Sequence, residues 1–284
     1  MFNSVIIWLA SYPKSGNTWL RSIVSSLLYS KSGNFDFELL KNIRQFPEKQ
    51  FFKDIINDFS NFNEIKRNWI TAQEKINLSQ NVRIFKTHQG KYTLGEHNFT
   101  NDKNTLAVIY IIRDPRNLVK SISHHFDFTL DKACKFLLSP EVIGNGKDFE
   151  EQQDGMYNLL GKWNDHYRSW TRDKNNLLII KYEDLIVNPG IELIKIIEFL
   201  KNYLNFKTNE EKNHKILETT SFRKLSKMED QGLFKENVLN KKDKKKVKFF
   251  YLGSKNTWQD NLDKDIVNKL EKSFFTEMKE LSYL

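Results

Sequence analysis

The sequence predicts an α/β fold, a P-loop-like doubly wound parallel sheet flanked by helices in a single domain. Three observations predict it. Four short apolar runs, Val5–Ala10, Val82–Lys86, Leu106–Ile112 and Leu177–Tyr182, read as strands buried on both faces. Helical patterns separate most of them, as right-handed crossovers between parallel strands require. The first run ends in a short turn holding Pro13 and Gly16 and opens directly onto a helix, a strand–loop–helix unit.

The elements follow in order. After the first loop, Leu20, Ile23, Val24, Leu27 and Leu28 repeat at helical spacing and predict a helix packed back on the sheet. Residues 33–80 are polar and aromatic (Phe35, Phe37, Phe46, Phe51, Phe52, Phe59) without clean periodicity, and predict short helices and loops, an insertion or lid over a pocket. Residues 127–153 form another such insertion, with Gly144-Asn145-Gly146 as a turn. Met156, Leu159, Leu160, Trp163, Tyr167 and Trp170 make one apolar helical face. Asn188-Pro189 starts a further helix, Pro being tolerated in a first turn, with Ile191, Ile194, Ile197 and Leu200 facing inward. A last helix runs from about Asp263 with Ile266, Leu270, Phe274 and Leu281 inward. These stripes read as core. No repeat and no linker divides residues 1–284, which read as one domain.

Composition bounds the function. With 39% hydrophobic and 29% charged residues, 284 residues suffice for a large core in a soluble chain. A net charge of +9 suits a polyanionic ligand, an acidic surface or nucleic acid; a solvated lysine-rich face explains it equally well. No nucleic-acid signature beyond charge is present. The one cysteine, Cys134, excludes an internal disulfide and a cysteine-built zinc site. No apolar run approaches the ~18–20 residues of a membrane span. The apolar stretch at the start is short and runs into Tyr12-Pro13-Lys14, so it reads as a strand, and the expected location is cytoplasmic.

The first loop, Ser11 to Trp19, predicts an anion cradle: a strand ends, a turn frees backbone N–H groups, and a helix N-terminus points its partial positive charge inward, with Lys14 adding a full one. In the nucleoside-triphosphate loop, Lys and a magnesium-binding hydroxyl follow the last glycine. Here Lys14 precedes Gly16, so the loop holds something phosphate-like without being laid out for Mg-ATP. The second strand ends Lys86-Thr87-His88, at the sheet edge where ligands of open α/β sheets sit. A neutral imidazole there can take a proton near pH 7, whereas a histidine considered alone is more often structural. Lys86 points to the same side as His88. The third strand ends Arg113-Asp114-Pro115, with Ser121 eight residues after the arginine. A guanidinium and a hydroxyl converging there suit a second phosphate; considered alone, Arg113 and Asp114 would make a surface pair.

Taken together these residues resemble the sulfotransferases that use 3′-phosphoadenosine 5′-phosphosulfate (PAPS). Tyr12 to Trp19 match the family's phosphosulfate loop Y-P-K-S-G-[TN]-T-W, Lys86-Thr87-His88 its strand-end K-[TS]-H, and Arg113 with Ser121 its 3′-phosphate motif. Tyr182-Glu183-Asp184 and Thr220-Ser221-Phe222 match two further elements, in the family's order, so that the resemblance spans residue 5 to about 262. The resemblance implies roles. Lys14 and the amides of Ser15, Gly16 and Asn17 hold the phosphosulfate, with Lys14 bridging to the leaving oxygen; Thr18 contacts phosphate and Trp19 stacks near adenine. Arg113 and Ser121 bind the 3′-phosphate, and Ser121 restrains Lys14 until an acceptor arrives. Tyr182, Thr220, Ser221, Phe222 and Gly253 line the nucleoside site. His88 takes the acceptor's proton during in-line attack on sulfur, and Lys86 offsets charge on the sulfuryl oxygens. PAPS is then the co-substrate and PAP the product, with no metal, and the partner is a small-molecule hydroxyl or amine acceptor.

The chain departs from the family at its C-terminal R-K-G-x-x-G-x-W. Here Tyr251-Leu252-Gly253 lack the basic pair and Asn256 replaces the second glycine, so Lys255 or the run Lys241–Lys248 is left to supply the charge, if that run is not a solvated surface. Gln89-Gly90 replace the frequent Leu-Pro, a change expected in the pocket wall, and the family's dimer motif K-x-x-x-T-V-x-x-x-E is missing, which leaves the oligomeric state open. Two other readings stay open from sequence: a small-molecule kinase with a modified P-loop, and a non-catalytic binder of anions or nucleic acid.

Overall fold

Four parallel strands form the central sheet of the computed structural model, which describes residues 5–143, 156–237 and 245–284. They are β1 (Ile6–Ala10), β2 (Arg83–Thr87), β3 (Thr105–Ile112) and β4 (Leu177–Lys181), in the order β2-β1-β3-β4. Each lies within a residue or so of the apolar run that predicted it. The chain moves from β1 outward to β2, then crosses back over β1 to β3, so the direction of winding reverses between β1 and β3. A crevice opens at the carboxyl ends of strands at such a point. The free edge of β2 is covered: Lys86 N–H donates to Arg44 O (2.9 Å) and Phe46 N–H to Lys86 O (2.9 Å).

Alternation in β1 and β3 sends side chains to two cores. Ile6, Trp8 and Ala10 with Val108, Tyr110 and Ile112 face one, and Ile7 and Leu9 with Ala107, Ile109 and Ile111 face the other. The second core is closed by the helix α1 (Asn17–Tyr29) through Leu20, Ile23, Val24 and Leu27, and by α4 (Pro189–Lys201). The first is closed by α2 (Pro115–Phe126), α3 (Trp163–Thr171) and α5 (Lys264–Ser273). Phe46 and Phe52 of the aromatic segment 33–80 are fully buried in that first core, while Phe35 and Phe37 join Leu225, Phe234 and Phe250 in a third, smaller cluster. The segment itself carries short 3-10 turns (Phe37–Asn42, Lys49–Phe51) and helices Phe62–Arg67 and Trp69–Asn77.

Three predicted helical faces need correction. Met156 to Leu160 are not helical: Asn158–Gly161 is a strand antiparallel to Glu141–Ile143, and only Trp163 onward forms α3. Gly161, at φ 66°, lies outside helical space, and the N–H of Leu159 is taken by Gln89 Oε1 at 2.7 Å. In α4 the buried face is Leu193, Ile196, Ile197 and Leu200, while Ile191 and Ile194 are more than half exposed. Apolar residues occupy both faces of this helix, so period alone does not choose its phase. The last helix breaks at Phe274 into Lys264–Ser273 and Phe275–Glu280, although all four predicted inward residues are buried. The predicted turn at Gly144-Asn145-Gly146 lies outside the described residues, as do Lys241 to Lys244 of the basic run.

Trp8 sits at the centre of the first core against Phe46, Phe85, Phe99 and Trp170, its Nε1–H donating to Thr105 Oγ1 at 3.0 Å. Replacing it by Ala should cost about 3–5 kcal/mol. The urea midpoint should fall with the slope unchanged; a shift worth under about 1 kcal/mol would mean the core collapses onto the void.

Candidate active site at the switch point

The loop after β1 is built as an anion cradle. Gly16, at φ 101°, is the N-cap of α1 and offers no side chain to the first turn, whose N–H groups therefore have no intrahelical partner. A Cβ on Gly16 would lie 2.6 Å from the Tyr182 ring, so backbone and ring approach as only glycine permits. Lys14 is itself left-handed at φ 68°. Asn17 spends its amide N–H groups on Leu9 O (2.9 Å) and Ser11 Oγ (3.1 Å), leaving its backbone N–H as the donor for an anion. Ser15 Oγ is buried without a partner.

One cavity joins most of the predicted residues. Lys14, Gly16, Asn17, Thr18, Trp19, Lys86, His88, Ser121, Tyr182, Phe222 and Gly253 all line it. Four do not: Ser15, Arg113, Thr220 and Ser221. Thr220 Oγ1 donates to Ile216 O (2.7 Å) and Ser221 Oγ to Glu218 O (2.8 Å), so both hydroxyls finish the preceding helix and only Phe222 of that element reaches the cavity. Arg113 is 5% exposed and sits behind the loop. Its Nη1 donates to Lys14 O (3.3 Å), its guanidinium lies 4.1 Å over the Tyr182 ring, and its Nε has no partner. Trp19 meets the other side of Tyr182 edge-to-face at 5.7 Å.

Lys14 is held by groups outside the predicted set. Its Nζ donates towards His125 Nδ1 (3.5 Å) and lies 3.7 Å over the Phe249 ring. Burial first, and then the Arg113 charge, pull its pKa down to about 7. His88 Nδ1 lies 2.9 Å from Ser11 O, an acceptor, so Nδ1 carries the proton and Nε2 is left as the bare nitrogen. Burial and then the Lys86 charge lower its pKa to about 3, so the ring is neutral at physiological pH. The imidazole is braced from behind. The fully buried His166 donates from Nε2 to His88 O (3.0 Å) and accepts the Tyr110 hydroxyl at Nδ1 (2.8 Å). Lys86 Nζ lies 3.7 Å from Glu236, a carboxylate that no motif predicted.

The C-terminal departure has a clear structure. Gly253, at φ 56°, packs where a Cβ would meet the Phe222 ring at 2.7 Å, which is why this glycine stays when its basic neighbours go. Asn256 Nδ2 donates to Asn117 O (2.8 Å) and Trp258 N–H to Asn117 Oδ1 (2.9 Å), docking the segment on α2. Lys255 is exposed and does not line the cavity. Lys245, Lys246 and Lys248 line an adjoining groove with Lys120 and His124, and Lys248 is bound to Asp230 at 2.8 Å. Gln89 acts behind the wall: its side chain holds Leu159 of the strand that presents Asn158, and its carbonyl accepts Trp170 Nε1–H (3.0 Å).

His125, Phe249 and Glu236 are among the lining residues that sequence reasoning missed. Residue type offered a signal only for His125, four positions after Ser121 on one helix face and hence beside it.

Known proteins were compared with this chain. A family model described as a sulfotransferase domain matches residues 6–282. Sulfotransferase 1 family member D1 of Mus musculus is 26% identical over 276 residues, covering 96% of this chain and 83% of the relative. Cytosolic sulfotransferase 5 of Arabidopsis thaliana is 27% identical, covering 93% and 77%. Among solved structures, mouse sulfotransferase SULT7A1 complexed with PAP superposes with a TM-score of 0.61 at 22% identity over 98% of this chain and 86% of that one. Retinol dehydratase in complex with retinol and PAP does so at 0.61 and 18%, over 98% and 82%. These two likenesses speak for the fold. The family match, covering nearly the whole chain, speaks for the chemistry: this chain belongs to the sulfotransferase family and is a sulfuryl-transfer enzyme whose family donor is PAPS.

Proposed function

We propose that this enzyme moves a sulfuryl group from PAPS to a hydroxyl or amine of a small-molecule acceptor, in line and without a metal, with His88 as general base. The observation that carries the reading is the state of His88: its Nδ1–H is committed to the Ser11 carbonyl, which leaves Nε2 to accept a proton in a cavity shared with Lys14 and Lys86. Two of the structural relatives were solved with PAP, one of them together with retinol, consistent with a nucleotide donor and a small organic acceptor. Among the described residues no helix is long and apolar enough to cross a membrane, and several relatives are named cytosolic; we place this enzyme in the cytoplasm.

The residues present fit the donor. The first-turn N–H groups and the turn with Lys14 and Gly16 at positive φ, where a Cβ on Gly16 has no room, form the seat for the 5′ group. Ser121 on the cavity wall supplies a hydroxyl for the 3′-phosphate, the Arg113 charge acts from behind the loop, and Trp19, Tyr182 and Phe222 provide the nucleoside surface. The donor supplies the transferable sulfuryl group; the chain supplies position and charge. Lys14 neutralises the leaving oxygen, Lys86 the sulfuryl oxygens, and His88 Nε2 receives the acceptor's proton. His125 and Phe249, rather than Ser121, hold the Lys14 ammonium. A base with a pKa near 3 is weak, and the negative charge a donor brings beside His88 raises it towards its working range.

Three outcomes test this reading. His88→Ala should nearly abolish turnover while PAP affinity stays within about three-fold, because the ring holds no part of the nucleotide seat; calorimetry showing equal loss of both would make His88 structural. Arg113→Ala should weaken PAP by about ten-fold or more and AMP much less, and equal weakening would move the second phosphate elsewhere. For pH, the sign follows from Lys14. Its pKa in the free enzyme is lowered to about 7 and a bound anion restores it upward, so binding above pH 7 takes up a proton. PAP affinity should therefore be greatest below pH 7 and fall by up to about ten-fold per unit above it. Titrations at pH 8 in buffers of different ionisation enthalpy should show uptake, and Lys14→Met should lose it.

A further inference from the structure

Glu236 belongs to no motif, yet it lines the cavity and is the acid among the described residues that do so. Two cations hold it from different elements. Arg21 of α1 reaches it with Nη1 at 2.5 Å, and Lys86 at the end of β2 with Nζ at 3.7 Å. The two contacts differ in kind. Arg21 has a side chain only 6% exposed, and its Nη2 donates to Leu40 O at 2.7 Å, so it is fixed to the protein on its far side. Its bond to Glu236 is a short, charge-assisted one. The Lys86 contact exceeds hydrogen-bond length and is an ion pair that a better acceptor can displace.

We infer that Glu236 is the positioning residue for Lys86: seated on Arg21, it keeps the Lys86 amine charged and directed along the cavity wall until a sulfuryl oxygen takes over the contact. The inference rests on the sulfuryl-transfer reading above. Its physical basis is the crowding of like charges. Burial lowers the Lys86 pKa and the Arg21 charge lowers it further, while Glu236 and the more distant Glu48 oppose them. Lys14, His88 and His125 line the same cavity, and none of them supplies a negative charge. Although burial pushes the Glu236 carboxyl up, Lys86 and Arg21 bring it down to about 2, so it is ionised wherever the enzyme works. Without it, a half-buried amine among cations gives up its proton readily, and a neutral amine offsets no charge on sulfuryl oxygens. A carboxylate that already holds two cations has little left for a third, which separates this role from recognition of a cationic acceptor.

The test uses the full chain, labelled with 13C-lysine, as wild type, Glu236→Gln and Glu236→Asp. The amide keeps the shape and removes the charge; the aspartate keeps the charge with one methylene less. In Glu236→Gln the Lys86 Cε titration should move down by about one pH unit or more, kcat should fall by about ten-fold, and the alkaline limb of the kcat profile should move down with it. PAP affinity should change less than about two-fold, because PAP has no sulfuryl group for Lys86 to meet. Glu236→Asp should keep the wild-type titration and recover part of kcat. An unmoved Lys86 titration in Glu236→Gln would overturn the inference; so would a faster enzyme, which would make the ion pair a brake, or a loss confined to cationic acceptors. The titration needs no turnover. A shift in Glu236→Gln together with a wild-type protein that transfers no sulfuryl group therefore counts against the proposed function, and a missing shift counts against Glu236 alone.

Discussion

Positive charge crowded into one desolvated crevice is the constraint on which the rest of this structure depends. Lys14, Lys86, Arg21 and Arg113 meet around the ends of β1, β2 and β3, and Glu236 balances only part of them. Burying unbalanced charge is costly, and the protein responds as physics requires: Lys14 loses much of its hold on its proton, and Lys14 and Arg113 rest against the faces of Phe249 and Tyr182. An anion with several charges removes the imbalance. Burial first, and then the Lys86 charge, keeps His88 neutral in the same crevice.

Ser11 links the loop after β1 to His88. Its carbonyl receives His88 Nδ1–H, its hydroxyl lies 3.2 Å from the same nitrogen, and that hydroxyl also receives the amide of Asn17 in the first turn of α1. The cradle and the imidazole are therefore located by one residue at the end of one buried strand. Behind His88, the Tyr110–His166 pair and the Gln89–Trp170 contact tie the same loop to β3 and α3. Precision at the reacting atoms comes from these buried, neutral bonds, which do not compete with the charges in front of them. The turn after β3 is fixed differently. Arg116 chelates Asp114 at 2.7 Å, stacks 4.3 Å over Trp258 and reaches the Tyr283 carbonyl at 2.6 Å, while the Tyr283 hydroxyl and the Asp114 N–H both bind Glu183. The end of the chain thus fastens the turn that carries Arg113.

Much of the site was legible because its parts are contiguous. Pro13 to Trp19 and Lys86 to His88 are local strings, and each string carries its strand end, its charge and its direction together. Where the reading failed, the cause was a distant neighbour. Thr220 and Ser221 match a motif, but their hydroxyls turn back to finish a helix because carbonyls of Ile216 and Glu218 lie within reach. Met156 to Leu160 have helical spacing, but Gln89 takes the N–H of Leu159 and Gly161 turns out of helical space. The phenylalanines of residues 33–80 suit an apolar pocket or a core equally well by sequence; Phe46 and Phe52 fill the core around Trp8, and Gln45 is the residue of that segment lining the cavity.

By itself the sequence determined the buried strands and put Lys14, Lys86 and His88 forward as candidates at their carboxyl ends. Those depend on hydrophobic period and on residues close together in the chain. Only the tertiary structure decided which groups surround them: His125 and Phe249 against Lys14, Glu236 against Lys86, Ser11 beneath His88. Protonation state, tautomer and aim are set by desolvation and by charges a few ångströms away. Folding creates those environments by joining segments as much as 215 residues apart, as it does for Arg21 and Glu236.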